Sequence, residues 1–327
     1  MKHFNKTDTL LHFHHMTNYK AFNGSLHEKL NISYQIYGKE LHTAPIVVVN
    51  HALTGNSDIL SDKNGWWKDL VGKNKLIDSQ KFTIIIFNIL GNGFDGSLIT
   101  NYKDFIIKDV AFIYIKALEN LGIQNLHSVI GGSIGGGIAW EMAILKPHFI
   151  TYLIPIASDW KATDWIIGHN AIQENILLHS KFPLQDARKM AMLFYRTPQS
   201  YTNKFNRSKT LDGLYNVNSW LNHHGEKLEK RFKLKAYLMM NHLLTTIDIT
   251  RSKNNFEDAI KPVTSIIIQI AINTDLFFSK TENILTKEKL DAIGKNNQYH
   301  EIISDEGHDA FLIEQQQITQ FLTPIYK

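Results

Sequence analysis

The chain has 327 residues, 43% of them hydrophobic and 20% charged, with a formal net charge of +4 and no cysteine. That length and balance describe a soluble globular protein, either one large α/β domain or a core carrying an insertion, and give no sign of a nucleic-acid groove. Without cysteine there are no disulfides, no thiolate metal ligands and no cysteine nucleophile; no apolar run approaches the length of a membrane span.

Residues 1–30 are polar and rich in histidine, with His3, His12, His14 and His15, but lack the paired spacing and acidic partners of a metal site, so no metal is expected. No export signal is visible there, and with the lack of cysteine this sets the expectation of a cytoplasmic protein. Between Asn31 and Tyr37, Ile32, Tyr34 and Ile36 alternate with polar residues, which predicts a half-buried edge strand ending at Gly38. The runs Ile46–Val49 and Phe82–Phe87 read as strands buried on both faces. The first delivers the chain into His51-Ala-Leu-Thr-Gly55, the second into a loop from Asn88 to Gly96. Ile106, Val110, Ile113, Ala117 and Leu121 fall at helical spacing, with Gly122 placed to cap the helix.

Val129 and Ile130 then lead into Gly131-Gly-Ser133-Ile-Gly135, and a helix-compatible segment from Ile138 to Lys146 follows. Strand, sharp turn and helix around a serine flanked by glycines make a nucleophile elbow, in which small neighbours let the hydroxyl project from the end of a sheet. A dinucleotide fingerprint needs glycine where Ser133 stands, and a phosphate loop needs lysine where Ile138 stands, so both fit badly; an ordinary tight turn is the plain alternative. After a strand at Tyr152–Ala157, residues 159–258 are rich in Asn, Lys, His and aromatics at helical spacing, which predicts an inserted helical lid between core segments 1–158 and 259–327. Within it, Lys227–Lys235 alternates with acids and reads as a solvated helix face. Strands are predicted at Thr264–Ile272 and Gln298–Ile303, a short helix at Thr286–Ile293, and a C-terminal helix after Asp309.

Serine is a poor nucleophile without an imidazole base and a carboxylate to orient it. Asp275 lies just past the strand at 264–272 and His308 just past the strand at 298–303, which completes the order Ser133, Asp275, His308 of an α/β-hydrolase fold at the carboxyl edge of a mostly parallel sheet. Oxyanion donors are expected from the backbone N–H groups of Ile134 and Leu53.

The residues resemble the homoserine O-acetyltransferase family of methionine biosynthesis. The likeness rests on His51–Gly55, Trp66-Trp67 with Ile77-Asp78, Asn88–Gly91 with Gly96-Ser97, Gly131–Gly136, Ala187-Arg188 through Tyr195-Arg196, Asn218–Leu221 through Arg231-Phe232, and Gly307-His-Asp-Ala-Phe311. It implies a ping-pong reaction in which Ser133 takes an acyl group, acetyl by expectation, from acyl-coenzyme A and passes it to the hydroxyl of homoserine. It also implies that Arg188 and Tyr195 meet the substrate carboxylate and Asp309 its ammonium, and that a homodimer forms through the lid. The chain departs from the family in the lid, where only His179–Leu184 precedes Gln185, and where Ile166 follows Trp165 and Glu174 lies further along. Two rival readings use the same residues: an esterase or thioesterase that delivers the acyl group to water, and a partner-binding protein on a retired hydrolase scaffold.

Overall fold

The computed structural model describes residues 10–61 and 65–327. Strands β1 (His12–Lys20) and β2 (Leu26–Gly38) form an antiparallel hairpin, followed by β3 (Ile46–Asn50), the two-residue pair β4 (Val71–Gly72) and β5 (Ile77–Asp78), and β6 (Thr83–Phe87). Helix α1 (Ile107–Asn120), β7 (Leu126–Gly132), α2 (Ile134–Leu145) and β8 (Ile150–Ile156) continue the alternation. Six helices come next: α3 (Asp164–His179), α4 (Pro183–Tyr195), α5 (Pro198–Phe205), α6 (Asn216–Arg231), α7 (Leu234–Thr245) and α8 (Phe256–Ile260). The chain returns to the sheet with β9 (Ile266–Ile272), α9 (Lys280–Ala292) and β10 (Asn297–Ile302), and ends in α10 (Ala310–Ile313) and α11 (Gln315–Leu322).

Eight strands make one sheet in the order β1-β2-β6-β3-β7-β8-β9-β10, parallel from β6 to β10 and antiparallel at β1 and β2. Every residue of β3 and β6 is buried, because helices and loops cover both faces. Side chains divide by parity. Val48 joins an apolar layer with Val110 and Trp140, whereas Val47 and Val49 join another with Trp67, Phe311 and Leu322. The inserted helices share the first layer, since Ile166, Leu177, Ala191 and Leu243 pack in the same cluster as the helices of the core. Tyr195, the last residue of α4, reaches His308 just past β10, with ring centroids 5.4 Å apart.

Several boundaries move from the sequence expectation. The strand read at 31–37 is part of β2 and is not the edge, for β2 pairs with β1 on one side and β6 on the other. β1 was hidden by its histidines: its side chains alternate between partly covered and exposed with few large apolar residues, and its pairing is carried by backbone groups. His12, His14 and His15 lie on this strand, while His3 lies outside the described residues. Helix α2 starts four residues earlier than its apolar pattern suggests, since Gly135, Gly136 and Gly137 form its first turn despite their low propensity. Helix α9 begins at Lys280, with the Ser279 hydroxyl accepting the Glu282 N–H. The run 227–235 is not one helix face: α6 ends at Arg231, Phe232 is buried, and α7 starts at Leu234.

Candidate active site

Ser133 stands between β7 and α2 with φ 58° and ψ −127°, a left-handed backbone that few non-glycine residues adopt. Close packing holds it there. A Cβ on Gly131 would lie 2.4 Å from the Gly135 carbonyl oxygen, and one on Gly135 would lie 2.4 Å from that of Asn50, so strand and helix can meet only through glycines. The Ser133 N–H donates to Ile156 O at 2.9 Å, and Asn50 Nδ2 donates to Gly135 O at 3.1 Å, tying the turn to both neighbouring strands.

The structure brings Ser133, His308 and Asp275 together from three strand ends. His308 Nε2 lies 3.0 Å from Ser133 Oγ, and His308 Nδ1 lies 2.7 Å from Asp275 Oδ2. The other carboxylate oxygen of Asp275 accepts the N–H groups of Phe277 at 2.7 Å and Phe278 at 2.9 Å, which fixes its plane. All three residues are buried, and the rings of Tyr195, Phe277 and Phe311 surround the imidazole with centroids 5.2 to 5.5 Å away. In this arrangement an Nδ1–H donates to the carboxylate and Nε2 is free to accept the serine proton.

Beside the serine, Ile134 is the first residue of α2, so its N–H has no intrahelical acceptor; the Leu53 N–H has no acceptor among the described residues. The loop carrying Leu53 is pinned at both ends. His51 is fully buried, its Nδ1 lying 2.7 Å from Ala52 O and its Nε2 accepting the Ile89 N–H at 3.0 Å. Burial pulls the pKa of His51 down to about 4, so it is a neutral strut between two loops. On the other side, Arg231 donates to Thr54 O at 2.7 Å and to Thr54 Oγ1 at 3.2 Å, which latches the end of α6 onto this loop. Sequence reading placed Arg231 in a matching block without a role; only the long-range pairing reveals one.

Of the three residues expected to meet substrate, Tyr195 is buried beside His308, and Arg188 lies with its guanidinium carbon 5.7 Å from the Tyr195 ring centroid. Burial pushes the Tyr195 phenol well above its usual pKa, so it is a neutral hydroxyl. Arg188 has no carboxylate partner among the described residues. Asp309 does have one: its Oδ2 accepts Arg196 Nε at 3.1 Å, and Arg196 also pairs with Glu306. Its Oδ1 accepts no hydrogen bond among the described residues. The lid aromatics go separate ways: Trp160 packs on Phe256, Trp220 on Tyr201 and Phe205, and Trp165 stays exposed.

A cavity of about 560 Å³ borders the loop at Ala52 and Thr54 and is walled by Arg188, Arg231, Phe232 and Leu312. Two buried carboxyls sit outside this site. Burial raises Glu141 to about 8 and Asp159 to about 7, the latter held by the Trp160 N–H and the Thr286 hydroxyl.

A serine on a strained strand-to-helix turn, with histidine and aspartate arriving from the last two strands of a mostly parallel sheet, defines the α/β-hydrolase fold, and residues 45–315 match that family. The chain belongs, within it, to the homoserine O-acetyltransferase family: it is 30% identical to the homoserine O-acetyltransferase of Chloroherpeton thalassium over 94% of this chain and 86% of that one. The homoserine O-acetyltransferase of Bacillus anthracis superposes with a TM-score of 0.87 at 18% identity, covering 98% of both chains. The L374D mutant of esterase E22 superposes with a TM-score of 0.84 at 17% identity, over 96% of this chain and 99% of that one. At such identities the two superpositions speak to the fold alone.

Proposed function

We propose that the chain transfers an acetyl group from acetyl-coenzyme A to the hydroxyl of L-homoserine through an acetyl-Ser133 intermediate. His308 takes the proton of Ser133 Oγ as the oxygen attacks the thioester carbonyl, with Asp275 holding the ring in the tautomer that leaves Nε2 free. Negative charge on the carbonyl oxygen meets the N–H groups of Leu53 and Ile134. The tetrahedral intermediate expels the coenzyme A thiolate, which receives the proton from His308, and the acetyl group stays on Ser133. In the second half, His308 deprotonates the homoserine hydroxyl. That oxygen attacks the acetyl ester, and the proton returns to Ser133 as O-acetylhomoserine leaves.

The observation that carries this reading is the chain of contacts from Ser133 Oγ through His308 to Asp275, with the Arg188 guanidinium, which has no carboxylate partner among the described residues, against the Tyr195 ring beside the base. Hydrolysis needs only the first part. Transfer needs a grip on the acceptor as well, which Arg188 supplies for the carboxylate and Asp309 Oδ1 for the ammonium. The exposed Trp165, Leu178 and Leu193 of α3 and α4 support assembly into a homodimer through the lid. Use of acetyl-coenzyme A as donor favours the cytoplasm as its place of work.

The test follows thiol release from acetyl-coenzyme A with and without homoserine. Transfer predicts release that depends on homoserine, together with O-acetylhomoserine as product. Equal rates with and without the acceptor overturn the proposal in favour of a thioesterase.

A further inference from the structure

The walls of the cavity over the oxyanion loop carry four cations: Arg188, Lys227, Arg231 and Lys233. One carboxylate, Asp58, stands among the described lining residues, and it already accepts the N–H and hydroxyl of Ser61. Lys227 and Lys233 have no acidic partner among the described residues and are exposed at the rim. Four positive charges against one occupied carboxylate is a large local excess for a chain whose net charge is only +4. Two neighbouring groups register it. Burial and then the charge of Arg188 bring Arg231 to about 10; the residue as a whole is exposed, and it stays charged at neutral pH. Half-buried His224 is brought to about 4 by burial and then by the charges of Arg188, His223, Lys227 and Arg196.

Amino-acid recognition does not use this excess. Homoserine brings one carboxylate, assigned to Arg188 in the reading above, and Arg231 has its latch on Thr54. The two rim lysines remain. Converging cations with no anion of their own form a site for a multiply charged ligand; the cavity they line borders the oxyanion loop at Ala52, Thr54 and Gly55, and its Arg188 lies against Tyr195, which in turn lies against His308.

We propose that Lys227 and Lys233, with Arg231 behind them, hold the phosphates of the nucleotide end of the acyl donor while its acyl arm passes through the cavity to Ser133. This assignment rests on the acyl-coenzyme A reading above and adds the place and residues for the phosphate groups. Lysines suit the task because a flexible point charge can follow a phosphate at a solvent-exposed mouth.

Calorimetric titration of the full chain with adenosine 3′,5′-bisphosphate, and with adenosine as control, tests the assignment without requiring turnover. The bisphosphate is expected to bind and adenosine not to, with the affinity falling as salt rises. A Lys227→Glu/Lys233→Glu variant is expected to lose at least tenfold in that affinity and to show a KM for acetyl-coenzyme A raised by a similar factor. Near-ultraviolet circular dichroism monitors its fold, and the single Lys233→Glu variant, expected to lose about threefold, replaces it if the double variant is unfolded. No binding by the parent chain, or equal binding by parent and folded variant, overturns the proposal. Bisphosphate binding without turnover of acetyl-coenzyme A would overturn the acetyl-transfer reading and leave the phosphate site standing.

Discussion

The turn at Ser133 and the mouth formed by the lid sit within one site yet are built on opposite principles. At the turn everything is filled: Gly131, Gly135 and Asn50 touch with no room for a methyl group, and Asp275 and His308 have every nitrogen and carboxylate oxygen engaged. At the mouth, Arg188, Lys227, Arg231 and Lys233 form no ion pair with a carboxylate among the described residues and surround an open volume of about 560 Å³. The first arrangement holds reacting atoms within fractions of an ångström, as a transition state demands. The second leaves contacts to be completed by ligands, as specificity demands. Arg231 joins the two, since its guanidinium reaches from the end of α6 to the loop that carries Leu53.

The contrast can be broken first at the turn. Ser133→Ala should reduce acetyl transfer by on the order of 10⁴-fold or more, read by thiol release, because no other group at the site can carry the acyl chain. Next comes the buried strut His51. Its folded pKa of about 4 lies below the ordinary 6.5, so the unfolded chain binds more protons between these values. Stability from this group is therefore complete above pH 6.5 and lost as pH falls towards 4, by about 3 kcal/mol in all. Urea unfolding of the parent and of His51→Gln across pH 4 to 7 should show the acid loss in the parent and its attenuation in the variant. Glu141 contributes with the opposite sign: its folded pKa of about 8 is raised, so its contribution is complete below about pH 4.5 and declines as pH rises through 8.

Gly135→Ala should cost about 1–3 kcal/mol in the same urea assay, because its methyl would meet the Asn50 carbonyl, which cannot move without disturbing β3. Arg231→Met keeps most of the stem and removes the latch on Thr54; kcat should fall about tenfold while the unfolding midpoint changes little, which separates a positioning role from a folding one. At the far end of the scale, Leu211→Ser on the fully exposed lid loop should shift stability by less than about 0.5 kcal/mol.

What the sequence disclosed follows the same division. The turn was legible because close packing forces glycine at fixed offsets from the serine, and Asp275 was legible because it comes just after the largely apolar run of β9; β10, ahead of His308, is polar and half-buried, so His308 was legible from its order after Ser133 and Asp275 and from the Gly307-His-Asp-Ala-Phe311 motif. The mouth was not. Lys227, Arg231 and Lys233 follow the alternation of an ordinary solvated helix, and only the tertiary structure shows that they line one cavity with the oxyanion loop, with α6 ending at Arg231 and Lys233 lying before α7. The pairing of Arg196 with Asp309 likewise joins residues more than a hundred positions apart, with no local pattern to announce it. β1 escaped because backbone pairing with β2, rather than an apolar face of its own, holds it in the sheet.

The most direct measurement of the central claim is intact-protein mass spectrometry of the chain after mixing with acetyl-coenzyme A alone, followed by addition of homoserine. The expected result is a mass increase of one acetyl group, mapped to the peptide bearing Ser133, that homoserine discharges much faster than buffer does. An unmodified serine under conditions of demonstrated turnover, or an acetyl group that leaves at the same rate with and without homoserine, would contradict it.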